Sequence, residues 1–504
     1  MKELEIVIGL EVHVQLGTES KIFCSCSTKF QSLPNTNICP VCCGYPGVLP
    51  VFNKRALELA VRACLAMQCK INKKIYFERK NYFYPDLPKN YQISQYKKPL
   101  GEEGFLELPT GKKIKIERIH LEEDAGKLIH KESHSLADFN RSGIALLEIV
   151  SCPDIGSPQE AFDYLGYLKL FLQYIGVSNC DMEKGSLRCD ANISLKKKEA
   201  KELGVKTELK NMNSFRGVKD ALEYEVKRQE SRIQKGEEIF QETRLWDVDK
   251  QKTVAMRTKE EARDYRYFPE PDLLDFFVSD EFINEEKKFI KESPCQKRKR
   301  FLAEYGLSEK ETEILIANLK MADFFEQAVK FYSKPREISN WLIGPFLELL
   351  NSFSDKTPPS KASGGSIPMD KTPPSKVSGG SISMDKFKAV KITPANFSKI
   401  VILFSQKKIN NLAAKKVLSL SIATNRDIDE IIEKEELLQV SSKEELISFV
   451  EEVIRDNPKP VKEYLNGKLP AIMFLIGQVM KKTKGTANPQ VVKEMIEKSF
   501  KSRQ

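Results

Sequence analysis

Acidic and imidazole side chains recur at strand spacing in the first 210 residues of the chain. Glu11 and His13 lie two residues apart in an alternating segment, so on a β-strand both side chains point to the same side. A carboxylate beside an imidazole can bind a divalent cation or a metal-bound phosphate. A single pair is just as typical of a solvated strand face, because one strand supplies only part of a coordination sphere.

Further segments carry charged groups in the same pattern. The charged residues of these segments are Glu122, Glu123, Asp124, Glu148, Arg188, Asp190, Glu208 and Lys210. Glu148 lies inside the apolar run 146–150, where an ionised carboxylate needs a partner. Carboxylates with a single histidine suit Mg²⁺ or Mn²⁺ that holds nucleotide phosphates. The chain has neither a Walker A loop nor a G-x-G-x-x-G motif, which argues against a P-loop or Rossmann site.

Four cysteines form two closely spaced pairs in the loop 24–42. One residue separates Cys24 from Cys26, and two residues separate Cys39 from Cys42. Two such thiolate pairs can close a tetrahedral shell around zinc, and four protein ligands leave no open position, so the predicted role is structural. Cys43 offers an alternative ligand. The other interpretation is four reduced cysteines buried for packing.

Hydrophobic periodicity predicts the elements that position these groups. Strict alternation over 6–16 and 187–195 predicts half-buried strands. A change of apolar phase within 113–124 predicts a bulge near Glu117. Strands with one apolar and one charged face predict an antiparallel sheet with a wet, carboxylate-lined side. Helical spacing predicts a helix over 53–66.

The segment 79–86 interleaves cations, an amide and aromatic rings ahead of a proline. We interpret it as a loop. Such a loop can hold a phosphate by charge and a ring by stacking. Taken alone, a solvated turn is the more usual explanation for a segment of this kind.

Length and composition describe a multidomain globular chain. Its 504 residues leave room for about two to four domains. The net charge of +10 suits a polyanionic partner such as RNA, and a lysine-rich proteome would give the same value. Eleven cysteines and no basic region followed by an apolar stretch at the N-terminus predict a reducing compartment and no secretory signal. The apolar run 469–480 is too short to span a bilayer. We expect a cytoplasmic protein of bacterial type without a membrane partner, with an organelle as the open alternative.

Beyond residue 272 the sequence becomes helical and rich in lysine. A stretch rich in Pro, Ser and Gly is repeated almost verbatim within 355–386, which predicts a disordered linker. Amphipathic helical spacing then returns. The predicted domains are 1–292, a helical domain 293–405 that contains the insertion 355–386, and a helical tail 406–504.

Long motifs closely resemble those of the GatB family, the B subunit of the glutamyl/aspartyl-tRNA amidotransferase. They include VIGLEVHVQL (7–16), RKNYFYPD (79–86), YQISQY (91–96), HLEEDAGK (120–127), GSLRCDANIS (185–194), ELKNMNSF (208–215) and DYRYFPEPD (264–272). The resemblance runs in order from Val7 to Asp272 and continues more weakly at 485–489.

This resemblance implies an α+β fold. An antiparallel-sheet cradle similar to glutamine synthetase would be followed by an all-α helical domain and by a helical tail that grips tRNA. The implied partners in a heterotrimer are an amidase and a small third subunit, and misacylated tRNA is the implied substrate. The implied reaction is ATP-dependent phosphorylation of the glutamate or aspartate misattached to tRNA(Gln) or tRNA(Asn). Ammonia that the amidase releases from glutamine would then displace the phosphate.

The resemblance also implies roles for the charged residues. The ligands of Mg²⁺ or Mn²⁺ would be Glu11, His13 and Glu123. The rest of the acidic wall, holding a second metal or the substrate, would be Glu122, Asp190 and Glu208. The residues lining the ATP site would be Lys80, Tyr82 and Arg188. The alternative function is a non-catalytic, zinc-containing RNA-binding adaptor of a translation complex. The carboxylate-lined sheet favours the enzyme, because an RNA-binding face should be basic there.

Overall fold

The computed structural model of the chain describes residues 4–30, 33–258, 265–354, 387, 390–424, 426–435, 437, 443–483, 487 and 489–501. The duplicated stretch 355–386 lies outside the described residues, so its disorder stays a prediction. Contacts divide the chain into two compact units, Met1–Lys297 and Arg298–Gln504. In the described part, no helix is both long enough and apolar enough to cross a membrane.

The first unit mixes strands and helices. Its strands are β1 (Leu4–Gln15), β2 (Lys70–Ile71), β3 (Lys74–Ile75), β4 (Glu78–Asn81), β5 (Tyr91–Ser94), β6 (Gly101–Glu107), β7 (Lys113–Glu123), β8 (Lys127–His130), β9 (Ser135–Asp138), β10 (Ala145–Ser151), β11 (Leu187–Lys197), β12 (Thr207–Lys210), β13 (Glu242–Asp247), β14 (Lys252–Thr258), β15 (Phe268–Pro269) and β16 (Phe276–Phe277). Its helices are α1 (Lys54–Ala66), α2 (Pro158–Tyr174), α3 (Phe215–Gln234) and α4 (Asp280–Lys287), and α5 (Pro294–Tyr305) begins in it.

Nine strands form the main sheet, in the order β14-β13-β12-β11-β1-β10-β7-β6-β2. Its pairs are antiparallel except β12 with β13. This confirms the antiparallel sheet predicted from the alternating segments, within a mixed α+β fold. The bulge is confirmed as well. Val150 pairs with Arg118 and Ser151 with Ile116, which leaves Glu117 as the extra residue.

One face of the sheet packs against helices. Leu10, Val12 and Val14 of β1 are fully buried and share a core with buried residues of α1, α2 and α3. Each such side chain contributes about 1.5–3 kcal/mol through burial. A one-residue slip of β1 would turn these side chains to the solvent, so the core fixes which face stays polar. The predicted helix over 53–66 is confirmed, since Asn53 caps α1 by accepting from the backbone N of Arg55 at 2.9 Å.

The described part of the second unit is helical. After α5, its helices are α6 (Glu309–Ile316), α7 (Leu319–Phe331), α8 (Pro335–Trp341), a π-helical turn (Leu342–Phe346), α9 (Leu347–Ser354), α10 (Pro394–Ser405), α11 (Asn411–Thr424), α12 (Ile428–Lys434), α13 (Lys443–Asp456), α14 (Pro458–Leu465), α15 (Ala471–Lys482) and α16 (Pro489–Lys501). One hydrophobic core extends from Phe301 to Leu437 and a separate one from Leu446 to Phe500. Helices α11 and α12 therefore pack in the first of these cores. The domain boundary predicted at 405 had assigned both helices to the tail.

Candidate functional site

The polar face of the main sheet forms the floor of a cavity of about 500 Å³. Five adjacent strands, β12, β11, β1, β10 and β7, contribute charged side chains to it. The register brings the side chains together. Glu11 lies opposite Asp190 on β11, and His13 lies between Glu148 on β10 and Arg188 on β11. Residues that are far apart in the chain thus share one face because the strands are antiparallel and paired in this register.

His13, Glu122 and Glu148 form the tightest cluster on this floor. His13 Nε2 lies 3.5 Å from Glu122 Oε1 and 3.5 Å from Glu148 Oε2. The three residues each offer a ligand atom, and these atoms lie within 4.8 Å of one another. Adjacent ligands of an octahedral Mg²⁺ lie about 3 Å apart. The two carboxylates and one imidazole therefore fit a divalent cation after small rotations of the side chains.

The electrostatics of the cluster favour a positive charge between the two carboxylates. Burial and the charge of Glu148 raise the pKa of Glu122. Burial alone would raise the pKa of Glu148, but His120 and His13 hold it well below its usual range. Burial alone would lower the pKa of His13, but the hydrogen bond to Glu148 and the charges of Glu148 and Glu122 outweigh it and raise that pKa to about 9. A proton or a metal ion satisfies this cluster, and the two compete for the imidazole.

Glu123 lies away from this cluster. Its carboxylate accepts from Lys89 Nζ at 2.7 Å and from the backbone N of Ile93 at 2.8 Å. Adjacent residues of a strand point to opposite sides, so Glu122 and Glu123 cannot both face the floor. The structure groups His13 with Glu122 and Glu148, and it does not bring Glu123 to Glu11 and His13 as the resemblance had implied.

A second group of carboxylates surrounds Lys210. Asp190 accepts from Lys210 Nζ at 2.9 Å, and Glu208 Oε1 lies 3.4 Å from the same nitrogen. Burial alone would lower the pKa of Lys210, but the charges of Asp190 and Glu208 outweigh it and raise it. Glu11 accepts from Asn192 Nδ2 at 2.9 Å beside this group. Of the acidic wall that the resemblance implied, Asp190 and Glu208 lie together around Lys210, which neutralises part of their charge, whereas Glu122 belongs to the cluster of His13.

The segment 79–86, interpreted from the sequence as a loop, begins as strand β4. β4 pairs with β5 and β15, and Arg79 binds Glu270 through two hydrogen bonds of 2.8 and 2.7 Å. This partly buried pair fixes Arg79 on one side, so alternation turns Lys80 to the other side, toward the cavity.

Aromatic rings surround Lys80 at the cavity wall. Its Nζ lies 4.8 Å from the ring centroid of Tyr265 and 5.7 Å from that of Tyr82. Tyr96 stacks on Tyr267 with centroids 4.4 Å apart. Cation–π contacts of this kind hold an ammonium in place without neutralising it. The wall therefore offers both a positive charge and flat rings to a ligand.

Arg188 faces the same cavity from β11. Its Nη2 donates to Asp124 Oδ1 at 2.7 Å, and Arg141 Nε lies 3.5 Å from Asp124 Oδ2. The Asp124 carboxylate is buried and holds the guanidinium group of Arg188 at the edge of the cavity. The guanidinium group of arginine has a planar set of N–H donors, which bind phosphate oxygens well.

Sequence reasoning missed His120, which the structure places in the cluster. Its Nε2 lies 3.1 Å from Glu148 Oε2, and in the described part of the chain its buried Nδ1 has no hydrogen-bond partner. The spacing of His120 and Glu122 repeats that of Glu11 and His13, and this signal could have found it.

Two family models match separate parts of the chain. Residues 6–284 match the model of the GatB/GatE catalytic domain, and residues 379–500 match that of the GatB domain. Proteins named as the B subunit of aspartyl/glutamyl-tRNA(Asn/Gln) amidotransferase are similar over nearly their whole length. That from Thermodesulfovibrio yellowstonii is 48% identical over 99% of this chain and 100% of the relative, and that from Carboxydothermus hydrogenoformans is 45% identical over 98% of each.

The chain belongs to this GatB family. The resemblance of the motifs is therefore confirmed, and the family is one of tRNA-dependent amidotransferases, which are enzymes of the ligase class. In this GatB-family chain, the carboxylate-lined cavity lies within the part that matches the catalytic domain.

The four cysteines of the GatB-family chain lie together. Their sulfur atoms are within 4.8 Å of one another, and all four are free thiols. Cys39 Sγ and Cys42 Sγ are 3.9 Å apart. This distance is close to the separation of about 3.8 Å between two sulfurs bound to one tetrahedral zinc. The hydrogen bond with Cys24 and the backbone of Cys39 lower the pKa of Cys42 to about 4. These residues fit a metal ion that takes four thiolates.

The lysines near the C-terminus differ in their partners. Lys482 Nζ lies 2.7 Å from Glu452 and 2.9 Å from Asp456 of α13. Lys481 is exposed, and Lys484 lies outside the described residues. Of the two lysines that the structure describes here, Lys482 therefore joins α15 to α13, whereas Lys481 faces the solvent.

Proposed function

We propose that this protein activates the side-chain carboxylate of glutamate or aspartate misattached to tRNA(Gln) or tRNA(Asn), with ATP as phosphoryl donor. The observation that carries the proposal is the convergence of His13, Glu122 and Glu148 with cationic side chains on one polar sheet face. That face lies in the part of the chain that matches the GatB/GatE catalytic domain. The names of the relatives supply the substrate class.

The proposed reaction has two steps. A carboxylate oxygen of the aminoacyl group attacks the γ-phosphorus of ATP, which forms an acyl phosphate and releases ADP. Ammonia then attacks the acyl carbon, phosphate leaves with the electron pair of the C–O bond, and the amide forms. The ammonia comes from glutamine through a partner amidase, and a small third subunit would complete the proposed heterotrimer.

The residues of the cavity support the first step. His13, Glu122 and Glu148 would hold Mg²⁺ or Mn²⁺, which neutralises phosphate charge when bound. Arg188 and Lys80 face the cavity with cations that can bind phosphate oxygens and hold them in line. Phosphoryl transfer depends mainly on such positioning and charge stabilisation, so a site without a nucleophilic side chain is sufficient.

The remaining acidic residues and the second unit have separate proposed roles. Glu11, Asp190 and Glu208 would hold a second cation or the amino group of the substrate opposite Lys210. The four-cysteine group would bind structural zinc. The helical tail would bind tRNA, and the cradle would resemble glutamine synthetase in fold.

ATP hydrolysis by the assembled heterotrimer tests the proposal. We expect ADP formation to rise when Glu-tRNA(Gln) or Asp-tRNA(Asn) is added and to stay at background with uncharged tRNA. Glu148→Gln should remove this response while the amidase still hydrolyses glutamine. ADP formation that stays at background after misacylated tRNA is added would favour the alternative, a non-catalytic RNA-binding adaptor.

A further inference from the structure

Lys21 is a lysine whose whole side chain is buried, with a relative exposure of 0%. Its Nζ donates to the carbonyl oxygen of Phe139 at 3.3 Å and lies 3.6 Å from Cys42 Sγ. Among the described residues, no aspartate or glutamate forms an ion pair with Lys21. A buried ammonium without an anion costs several kcal/mol, so this position requires negative charge from another source.

The neighbouring sulfur atoms supply that charge when they are thiolates. Cys42 is part of the four-cysteine group, whose sulfurs are close enough to bind one ion. Four neutral thiols or two disulfides carry no charge. Four thiolates around a divalent cation carry a net charge of −2, because metal ligation requires deprotonated sulfur. A buried lysine 3.6 Å from Cys42 Sγ therefore suits a thiolate at that position, and the metal-bound centre supplies thiolates from all four cysteines.

We infer that Lys21 is the counter-charge of a four-cysteine centre for a divalent, thiophilic cation, and that it is a positioning residue that raises the affinity of that centre for metal. The inference rests on the metal centre proposed above and adds a residue outside the ligand set. Groups that hydrogen-bond to metal ligands commonly change metal affinity by about 10- to 100-fold.

The same lysine links the centre to the polar cavity. Its second partner, Phe139, begins the segment 139–143, whose Gly143 N donates to the backbone oxygen of Asp124 at 2.8 Å. Asp124 in turn holds Arg188 at the edge of the cavity. A metal centre anchored to Lys21 would therefore stabilise the segment against which Asp124 is fixed.

Three variants of the full chain in its complex separate charge from hydrogen bonding and from general surface effects. Lys21→Met removes both the charge and the donor. Lys21→Gln removes the charge and keeps an N–H donor for Phe139. Lys29→Met is the matched control, because Lys29 lies on the same segment and is exposed.

The measurement is Zn²⁺ affinity by competition with a chromogenic chelator, with Co²⁺ absorption as a reporter of tetrahedral thiolate ligation. We expect both Lys21 variants to bind Zn²⁺ about 10- to 100-fold more weakly than the wild type, and Lys29→Met to bind as the wild type does. The rise in Tm on adding Zn²⁺ should shrink in the Lys21 variants alone. If Lys21→Met does not fold, the Zn²⁺ affinity of Lys21→Gln alone tests the inference.

Three outcomes would overturn the inference. Wild-type affinity in Lys21→Gln would show that the hydrogen bond, and not the charge, matters. An equal loss of Tm with and without Zn²⁺, at unchanged affinity, would make Lys21 a general packing residue. A wild-type chain that binds no Zn²⁺ or Co²⁺ would remove the metal centre itself, and this result differs from a failure of Lys21 alone.

Discussion

His120 Nε2 lies 3.1 Å from Glu148 Oε2, and the two residues face each other directly across β7 and β10. This imidazole fixes the carboxylate that also lies 3.5 Å from His13 Nε2. His120 therefore acts on the proposed metal site through Glu148. A carboxylate oriented by a neighbouring donor is a common support for a metal ligand.

His120→Ala should lower kcat for amidation by about 10- to 100-fold, because Glu148 loses the donor that orients it. His120→Gln should restore much of the activity, since its side-chain N–H can donate to the same oxygen. Steady-state amidation assays on the heterotrimer measure both variants, with glutamine hydrolysis as the control. Wild-type kcat in His120→Ala would show that the contact has no role in the reaction.

Glu11→Ala and His13→Ala should each abolish amidation, because each removes a charged or ligating group from the floor of the cavity. Glutamine hydrolysis by the partner amidase should survive at some level, since the amidase chemistry does not use these residues. The measurement is the amount of Gln-tRNA(Gln) or Asn-tRNA(Asn) formed. Normal transamidation in either variant would refute the proposed roles.

Glu122 and Glu123 should differ although they are neighbours in the chain. Glu122→Gln should impair amidation and leave the free energy of unfolding nearly unchanged, because it relieves repulsion with Glu148. Glu123→Gln leaves the buried ammonium of Lys89 without its anion and should lower the free energy of unfolding by roughly 3–5 kcal/mol.

Urea unfolding of the two variants tests this division, with Glu117→Gln as the control. Glu117 lies at the bulge of the same strand and its side chain is 54% exposed, so its replacement should change stability by no more than about 0.5 kcal/mol. Equal destabilisation by Glu122→Gln and Glu123→Gln would contradict the opposite orientation of the two side chains.

The sequence predicted the strands, the bulge at Glu117 and the polar face because a period of two assigns each side chain to a face. The same rule would have placed Glu122 and Glu123 on opposite faces of the strand. The family resemblance instead implied that both residues belong to one acidic site. The sequence could not predict that Arg79 pairs with Glu270, because that contact joins segments almost two hundred residues apart. Arg79 lies in β4, so the expected loop begins as a strand. Long-range pairing is set by tertiary packing and leaves no local pattern.

Zinc should be present at one ion per chain, bound by Cys24, Cys26, Cys39 and Cys42. Elemental analysis of folded protein washed with a mild chelator measures it, and thiol titration counts the free cysteines. Cys39→Ser should reduce the zinc content, whereas Cys152→Ser, which lies outside the group, should not. Zinc-free protein with all four thiols freely titratable would count decisively against the site.

The division of labour between the two units is tested by truncation. The proposed chemistry lies in the first unit, whereas the core from Leu446 to Phe500 is separate from the core that ends at Leu437. Ending the chain after Leu437 removes that last core whole. A cut at 405 would instead strip α11 and α12 from the preceding core and expose its apolar residues. Truncation after Leu437 should raise the KM for misacylated tRNA and lower kcat much less. The reason is that lysine contacts to phosphate contribute to binding and not to phosphoryl transfer.

Two lysine variants of the tail and one deletion before it show where the binding lies. Lys481→Ala should raise KM in a salt-dependent manner, because its ammonium is exposed and available to a phosphate. Lys482→Ala should mainly loosen α15 from α13, since Glu452 and Asp456 already bind that ammonium. Deleting one copy of the duplication within 355–386 should change little, because the closure entropy of a flexible loop varies slowly with its length. An unchanged KM for tRNA after truncation would show that the residues after Leu437 do not bind tRNA and would place the tRNA contacts earlier in the chain.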